Sequence, residues 1–319
     1  MFVYTGRFII RMHAEIDSQQ SVRRGIFLII TGLMIIPSID AIAKHLSGSV
    51  PVLQITWSRF LFQSLLMSLL LVPFHGLGAL KSIQPGIHLI RGVLLALATL
   101  IFFASLQYLP LADAIAIFFI QPLILTLFSS WFLGETVGWH RKAAVITGFL
   151  GALIVIQPGG NNFTAATLMP VATAVFFAAY MTLTRATAGR EKAETAQFAA
   201  GLGAFLVLSV VIGFGMLFKI PALEIVQPTI IDWGWLLLLG IIAATCHLLV
   251  VKATELAPAS VLAPFAYTEF VGATFLGWFF FDDIPTATTW AGTALIVASG
   301  IYIFIRETRQ NTEKLPGLH

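Results

Sequence analysis

One carboxylate lies in the middle of a long apolar stretch of this sequence. Glu269 is the only charged residue between Leu256 and Phe281, so a helix through that stretch would hold it near the centre of a lipid bilayer. An ionisable group at that depth costs about 2.5–3.5 kcal/mol on insertion scales, and such groups face a protein interior or a polar cavity. We therefore expect Glu269 to bind a solute or carry a proton. The structural alternative is a neutral carboxyl that bonds one helix to the next.

Two prolines in related segments indicate a second candidate feature. Segment 109–135 aligns with segment 256–283, and Pro122 and Pro264 lie near their middles. Each proline lacks an N–H and leaves the carbonyl four residues earlier without its helical donor, which makes it available to a ligand. The alternative is that the prolines only bend the helices. The alignment brings four polar side chains to one depth as a candidate substrate-binding ring: Gln121, Tyr267, Thr268 and Glu269.

A buried arginine is the third candidate. Arg59 follows Trp57 inside an apolar stretch, and because arginine keeps its charge in practice it needs a partner. Asp40 in the preceding stretch is the candidate for a structural ion pair. In the functional alternative, Arg59 and Trp57 contact the substrate, with Arg59 bound to an anionic group. His247 is a candidate proton relay, or else a hydrogen-bonded core residue.

The elements that must position these side chains are membrane helices. The chain has 319 residues, of which 58% are hydrophobic and 10% charged, whereas soluble domains carry about 25% charged residues. Its apolar runs are continuous and do not alternate, which favours helices over a β-barrel. The pattern predicts an all-α membrane protein with about ten spans: 24–46, 52–73, 88–109, 111–133, 140–157, 166–185, 195–218, 233–256, 258–281 and 286–305.

The internal repeat predicts how these spans are organised. Five spans per repeat is an odd number, so the two copies must have opposite orientations in the membrane. Most of the 18 Lys and Arg residues, Arg91 included, fall in one set of connections, which places both termini in the cytoplasm. We predict a cytoplasmic N-terminal tail, a first and a second five-helix repeat and a cytoplasmic C-terminal tail over residues 1–22, 23–158, 159–306 and 307–319.

Several phrases resemble the EamA-like branch of the drug/metabolite transporter superfamily. They are residues 105–114 (SLQYLPLADA), 132–135 (FLGE), 148–152 (GFLGA), 57–60 (WSRF) and 267–269 (YTE). Residues 281–283 (FDD) depart from the usual Gly-Glu ending of that branch. The resemblance implies a ten-helix carrier of small organic solutes in the bacterial inner membrane, with a central substrate cavity between inverted repeats.

Secondary transport by alternating access is the favoured function. The sequence has no His-Glu-x-x-His, Gly-x-Ser-x-Gly or Walker pattern, which disfavours an intramembrane enzyme. The aromatic content suits a ring-bearing metabolite, and residues 40–44 (DAIAK) resemble a riboflavin-carrying subgroup. The family also leaves open the import or export of amino acids, S-adenosylmethionine-like compounds, metallophores and drugs.

The expected partners follow from this function. They are a small-molecule substrate, the lipid bilayer and, if Glu269 couples transport to a gradient, a proton. We predict no cofactor, no metal and no nucleic-acid partner, and the sequence leaves the direction of transport and the oligomeric state open.

Overall fold

All the regular structure in the described part of the chain is helical. The computed structural model describes residues 2–133, 138–160 and 163–313. The α-helices are α1 (Phe2–Ile35), α2 (Pro37–Leu46), α3 (Val52–His75), α4 (Pro85–Ser105), α5 (Leu111–Phe118), α6 (Gln121–Leu133), α7 (Trp139–Ile156), α8 (Met169–Thr187), α9 (Ala193–Phe218), α10 (Ile230–Leu256), α11 (Ala259–Leu262), α12 (Thr268–Phe281) and α13 (Ala287–Glu313). Short 3₁₀ turns lie at Leu77–Leu80, Ala165–Leu168, Pro221–Leu223 and Ala263–Tyr267.

The helices are long and apolar enough to form a multi-pass membrane bundle. Among the described residues, seven segments meet that description: Gln19–Leu46, Val52–Pro73, Pro85–Ser105, Leu111–Phe132, Ala165–Thr187, Ala193–Phe218 and Ile230–Leu256. Two shorter apolar helices, Lys142–Ile156 and Ala287–Ile303, and the interrupted segment formed by α11 and α12 account for the other predicted passages. The predicted all-α membrane fold is confirmed.

The first and last helices extend further than the predicted spans. Helix α1 begins at Phe2 and α13 continues to Glu313, so the segments expected to be tails are helical where the structure describes them. Adding a residue to an existing helix avoids the cost of nucleation. The apolar part of each helix can therefore propagate into polar sequence.

The packing of the helices repeats itself between the two halves of the chain. Helix α4 of the first half packs on α8 and α9 of the second, and α10 of the second half packs on α1 and α3 of the first. In the same way α6 packs on α8 and α12 on α1, while α7 and α13 pack on each other. Exchanging the two halves leaves this set of contacts unchanged, as expected for two five-helix repeats related by a pseudo-two-fold axis.

Three membrane passages are not continuous α-helices. The fourth passage is interrupted between α5 and α6, next to Pro122, and the ninth passes through a 3₁₀ turn that contains Pro264. The sequence pattern predicted one helix over 24–46, but α1 ends at Ile35 and α2 begins at Pro37. The proline ring explains this third break, because it removes one helical hydrogen bond and crowds the preceding turn.

Two glycines allow α7 and α13 to touch through their backbones. A Cβ atom added at Gly292 would lie 2.5 Å from the carbonyl oxygen of Gly151, and one added at Gly151 would lie 2.8 Å from the carbonyl oxygen of Gly292. Real Cβ atoms do not approach a backbone oxygen so closely. Small residues of this kind allow membrane helices to pack at short range.

We predict that Gly292→Val destabilises the protein, because the new side chain forces α7 away from α13. Overpacking of this kind costs about 1–3 kcal/mol, so the unfolding temperature of the detergent-purified protein should fall by several degrees. Gly213→Val is the matched control, since nothing lies within 4 Å of a Cβ added there. Equal effects of the two substitutions would contradict the proposed backbone contact.

Candidate functional site

A cavity of about 660 Å³ lies between the two halves of the bundle. One end is bordered by Ala188, Gly189, Glu191 and Ala193, in and next to the exposed connection between α8 and α9. The other end is bordered by Asp40 and Glu269. Its size falls within the usual range for small-molecule sites. Most of the wall is apolar, and its aromatic members are Phe102, Phe103, Phe118, Phe119, Phe177, Tyr180 and Tyr267.

The deep end of the cavity collects the ionisable groups that the sequence singled out. Asp40, Arg59, His247 and Glu269 all line it. They come from α2, α3, α10 and α12, so the tertiary fold brings together groups that lie far apart in the chain.

Arg59 forms its hydrogen bond with a hydroxyl. Its Nη1 atom donates to Oγ1 of Thr99 at 2.9 Å, and its guanidinium lies over the Phe60 ring at 4.6 Å. Its buried Nε atom has no hydrogen-bond partner within the described part of the protein. Among the ion pairs within 4.0 Å formed by described residues, none joins Arg59 to Asp40. The two side chains therefore form no direct ion pair in this structure, and an interaction between them stays a prediction.

The interrupted passages supply three more of the predicted residues to the cavity wall. Gln121 and Pro122 line it at the start of α6, and Tyr267 lines it just before α12. The Tyr267 ring packs edge-on against Phe119, with centroids 5.4 Å apart. Its hydroxyl lies against Gly300 of α13, where an added Cβ atom would overlap it. A glycine is therefore required at that position for this orientation of Tyr267.

Three other predicted residues do not line the cavity. Trp57 donates from Nε1 to Oγ of Ser209 at 2.8 Å, in the contact between α3 and α9. Thr268 donates to the carbonyl oxygen of Phe265 at 2.7 Å, and Pro264 lies in the 3₁₀ turn before it. The substrate contacts of Trp57 and Thr268 stay predictions. His247 does line the cavity, with its Nδ1 atom bonded to the carbonyl oxygen of Ala243 at 2.7 Å.

A second polar group lies at the other end of the cavity, and the sequence pattern did not predict it. Arg91 was counted with the basic residues of the connections, but its side chain is only 2% exposed and lines the cavity. Arg91 donates to Nδ1 of His88 at 2.7 Å, and His88 in turn bonds the carboxylate of Glu191. The sequence feature that could have indicated this group is the spacing of His88 and Arg91, which places both on one face at the start of an apolar helix.

Glu191 connects the α8–α9 connection to the start of α4. Besides its bond to His88, its carboxylate accepts a hydrogen bond from Oγ of Ser82 at 3.2 Å. Partial burial raises the pKa of this carboxyl, but the hydrogen bonds from His88, Ser82 and the backbone of Ile83 outweigh that effect and hold the pKa below its ordinary value. The ionised form of Glu191 is therefore part of the folded structure.

The bundle is closed beyond the deep end of the cavity. Lys44 forms an ion pair with Asp283 at 2.5 Å and donates to the carbonyl oxygen of Leu109 at 3.2 Å. Nearby, Thr289 donates to Asp113 at 2.7 Å. These contacts connect α2 and the start of α5 to the start of α13 and the residues just before it, so they join the two halves on the side opposite the α8–α9 connection.

Comparison with known proteins gives a consistent set of relatives. The EamA-like transporter family matches the chain twice, over residues 23–157 and 164–305. A riboflavin transporter of Rhizobium johnstonii is 32% identical over 74% of this chain and 75% of its own, and one of Vibrio cholerae is 30% identical over 73% and 76%. An S-adenosylmethionine uptake transporter of Rickettsia bellii is 26% identical over 86% of this chain and 91% of its own.

A solved crystal structure has the same fold. The two chains superpose with a TM-score of 0.61 at 21% sequence identity, and the match covers 90% of this chain and 98% of the other. The fold is thus shared over nearly the whole of both chains.

The lowered pKa of Glu191 predicts a dependence of stability on pH. The contribution of this group is complete above the ordinary glutamate pKa of about 4.3 and is lost as the pH falls through the folded-state value. Glu191→Gln should therefore lower the unfolding temperature at neutral pH and reduce the further loss seen on acidification. Exposed Glu224→Gln is the control and should change neither quantity. An unchanged acid profile in Glu191→Gln would contradict this role.

Proposed function

The chain belongs to the EamA-like transporter family, and we propose that it is a secondary transporter that moves a ring-bearing metabolite such as riboflavin across the bacterial inner membrane by alternating access. The observation that carries this proposal is the aromatic-walled cavity between the two halves. Phenylalanine and tyrosine rings provide flat apolar surface for a planar solute, and a few polar groups orient it. The relatives named as riboflavin transporters support the same choice.

The cavity and its two ends suggest how access alternates. The end bordered by residues 188–193 adjoins an exposed connection, and the other end is closed by contacts that include Lys44 and Asp283. If both termini face the cytoplasm, as the distribution of basic residues predicts, the accessible end is the cytoplasmic one. The opposite state then requires Lys44 and Asp283 to separate while the halves rock about the cavity.

S-adenosylmethionine is the second candidate substrate. A relative named for its uptake aligns with 86% of this chain, a larger share than the riboflavin transporters do. S-adenosylmethionine also carries a ring system, so the aromatic wall suits it as well. A pseudopaline exporter of Pseudomonas aeruginosa is 26% identical over 88% of the chain, which keeps export among the alternatives. Amino acids, metallophores and drugs stay the other candidate substrates.

We expect riboflavin to raise the unfolding temperature of the detergent-purified protein. A ligand at a hundred times its dissociation constant stabilises a folded state by about 2.7 kcal/mol. Phe118→Ala should weaken this shift because it removes a ring from the cavity wall. Phe279→Ala, on the exposed face of α12, is the matched control and should retain it.

Ribitol, which lacks the ring, should have no effect in the same measurement. Parallel uptake assays with riboflavin and S-adenosylmethionine in cells that cannot synthesise them test transport itself. If neither compound is taken up, the proposed substrate class is wrong.

Glu269 is the proposed carrier of a coupled proton, because it shares the deep end of the cavity with Asp40 and Arg59. Glu269→Gln cannot ionise, so we expect it to remove the pH dependence of uptake while the protein still folds. Uptake would be measured from about pH 5 to 8, with His247→Gln tested in parallel as the other candidate relay. A pH profile that survives Glu269→Gln would instead assign Glu269 to hydrogen bonding with the substrate.

A further inference from the structure

Arg91 is a buried cation without a direct counter-charge. It is among the largest fully buried side chains of the described residues, and its acceptors are all neutral: Oγ1 of Thr184 at 3.1 Å, Nδ1 of His88 at 2.7 Å, the carbonyl oxygen of Ala196 at 3.4 Å and the hydroxyl of Tyr180 at 3.4 Å. None of the ion pairs formed by the described residues includes Arg91. Removing a guanidinium from water without an anionic partner is unfavourable.

The nearby carboxylate of Glu191 is not the direct anionic partner of Arg91. Arginine can only donate hydrogen bonds, so Nδ1 of His88 must accept the bond from Arg91. The imidazole proton is then on Nε2 and points at Glu191. The carboxylate therefore fixes the orientation of the His88 ring, and that ring separates Glu191 from Arg91.

Nη2 is the least engaged nitrogen of Arg91, because its one hydrogen bond, to the Tyr180 hydroxyl, is long at 3.4 Å. The guanidinium lies over the Tyr180 ring at 5.2 Å, and the Tyr180 hydroxyl donates to Oε1 of Gln197 at 2.9 Å. Arg91, Tyr180, Thr184 and Gln197 all line the cavity. Four of the five guanidinium N–H groups have acceptors, so one N–H of Nη2 is left, and a charged N–H of this kind bonds strongly to a carboxylate or a phosphate.

The position of Arg91 along α4 separates this group from the deep end of the cavity. Thr99, which holds Arg59, lies on the same helix. At 1.5 Å per residue, Arg91 and Thr99 are about 12 Å apart along the helix axis. The side chains of Phe102, Phe118 and Phe177 line the same cavity. A solute can thus place a ring against the aromatic wall and extend a charged group toward residues 188–193.

We propose that Arg91, with Tyr180, Thr184 and Gln197, forms a subsite for an anionic group, a carboxylate or a phosphate, of the transported solute. This inference rests on the proposed function and predicts that, among ring-bearing solutes, those with an anionic group bind most tightly. His88 and Glu191 are positioning residues that hold Arg91 in place. S-adenosylmethionine has a carboxylate and fits the subsite, whereas riboflavin offers it only hydroxyl groups.

Pairs of compounds that differ in one anionic group test the subsite. Thermal unfolding of the detergent-purified protein would be followed with flavin mononucleotide against riboflavin, and with indole-3-acetate against indole-3-acetamide. The first pair tests a phosphate and the second a carboxylate. We expect the anionic member of at least one pair to bind about tenfold more tightly than its neutral partner in the wild type.

Arg91→Gln should abolish this difference and leave binding of the neutral member unchanged. Arg185→Gln is the matched control: Arg185 lies on the same helix as Thr184, is exposed, and bonds Ser129 outside the cavity wall. If Arg91→Gln does not fold, Arg91→Lys keeps the charge without the planar guanidinium and should reduce the preference.

Equal binding within both pairs, or no binding of either anion, would overturn the subsite. A preference for the anion that persists in both Arg91 variants would also overturn it, because another cation would then be responsible. These outcomes would leave the proposed function unchanged. That function has its own test, and it is wrong if the uptake assays find no transport of a ring-bearing metabolite.

Discussion

The high cost of placing charge in hydrocarbon determines where the polar groups of this protein lie. Asp40, Arg59, Glu269 and Arg91 all belong to apolar helices, and all four line one cavity. A helix can rotate or tilt to bury an ionisable group inside the bundle, but it cannot remove the cost of exposing that group to lipid. The lipid therefore directs these side chains inward, and the cavity is where they meet.

The same constraint acts on the backbone. In hydrocarbon an unpaired N–H or C=O is unfavourable, so irregular backbone is tolerated where it is buried or borders a cavity. The interruptions near Pro37, Pro122 and Pro264 follow this rule, since residues within two positions of each of them line the cavity. Close glycine contacts, such as that between α7 and α13, pack other parts of the bundle tightly. The irregular backbone is therefore found next to the cavity.

The two ends of the cavity differ in the chemistry of their contacts. At the deep end, Lys44 and Asp283 form a direct ion pair between the halves. At the other end, Glu191 bonds the ring of His88 in α4 and the hydroxyl of Ser82 just before that helix. Each set of contacts joins the two repeats, so rocking of one repeat against the other must change both. Transporters built from inverted repeats alternate access by breaking contacts at one end of the cavity while contacts form at the other.

Composition and patterning were sufficient to predict the membrane helices and the inward-facing position of Glu269, because hydrophobic length and the cost of a buried charge are properties of short segments. The partners of each side chain depended on the tertiary structure. Arg91 near a helix start has the same local pattern as a basic residue at the membrane surface, and only the packing of α4 on α8 and α9 buries it. Trp57 likewise bonds Ser209 of a distant helix. Contacts between helices far apart in the chain depend on how whole helix faces fit together, and hydropathy along one segment carries no information about that fit.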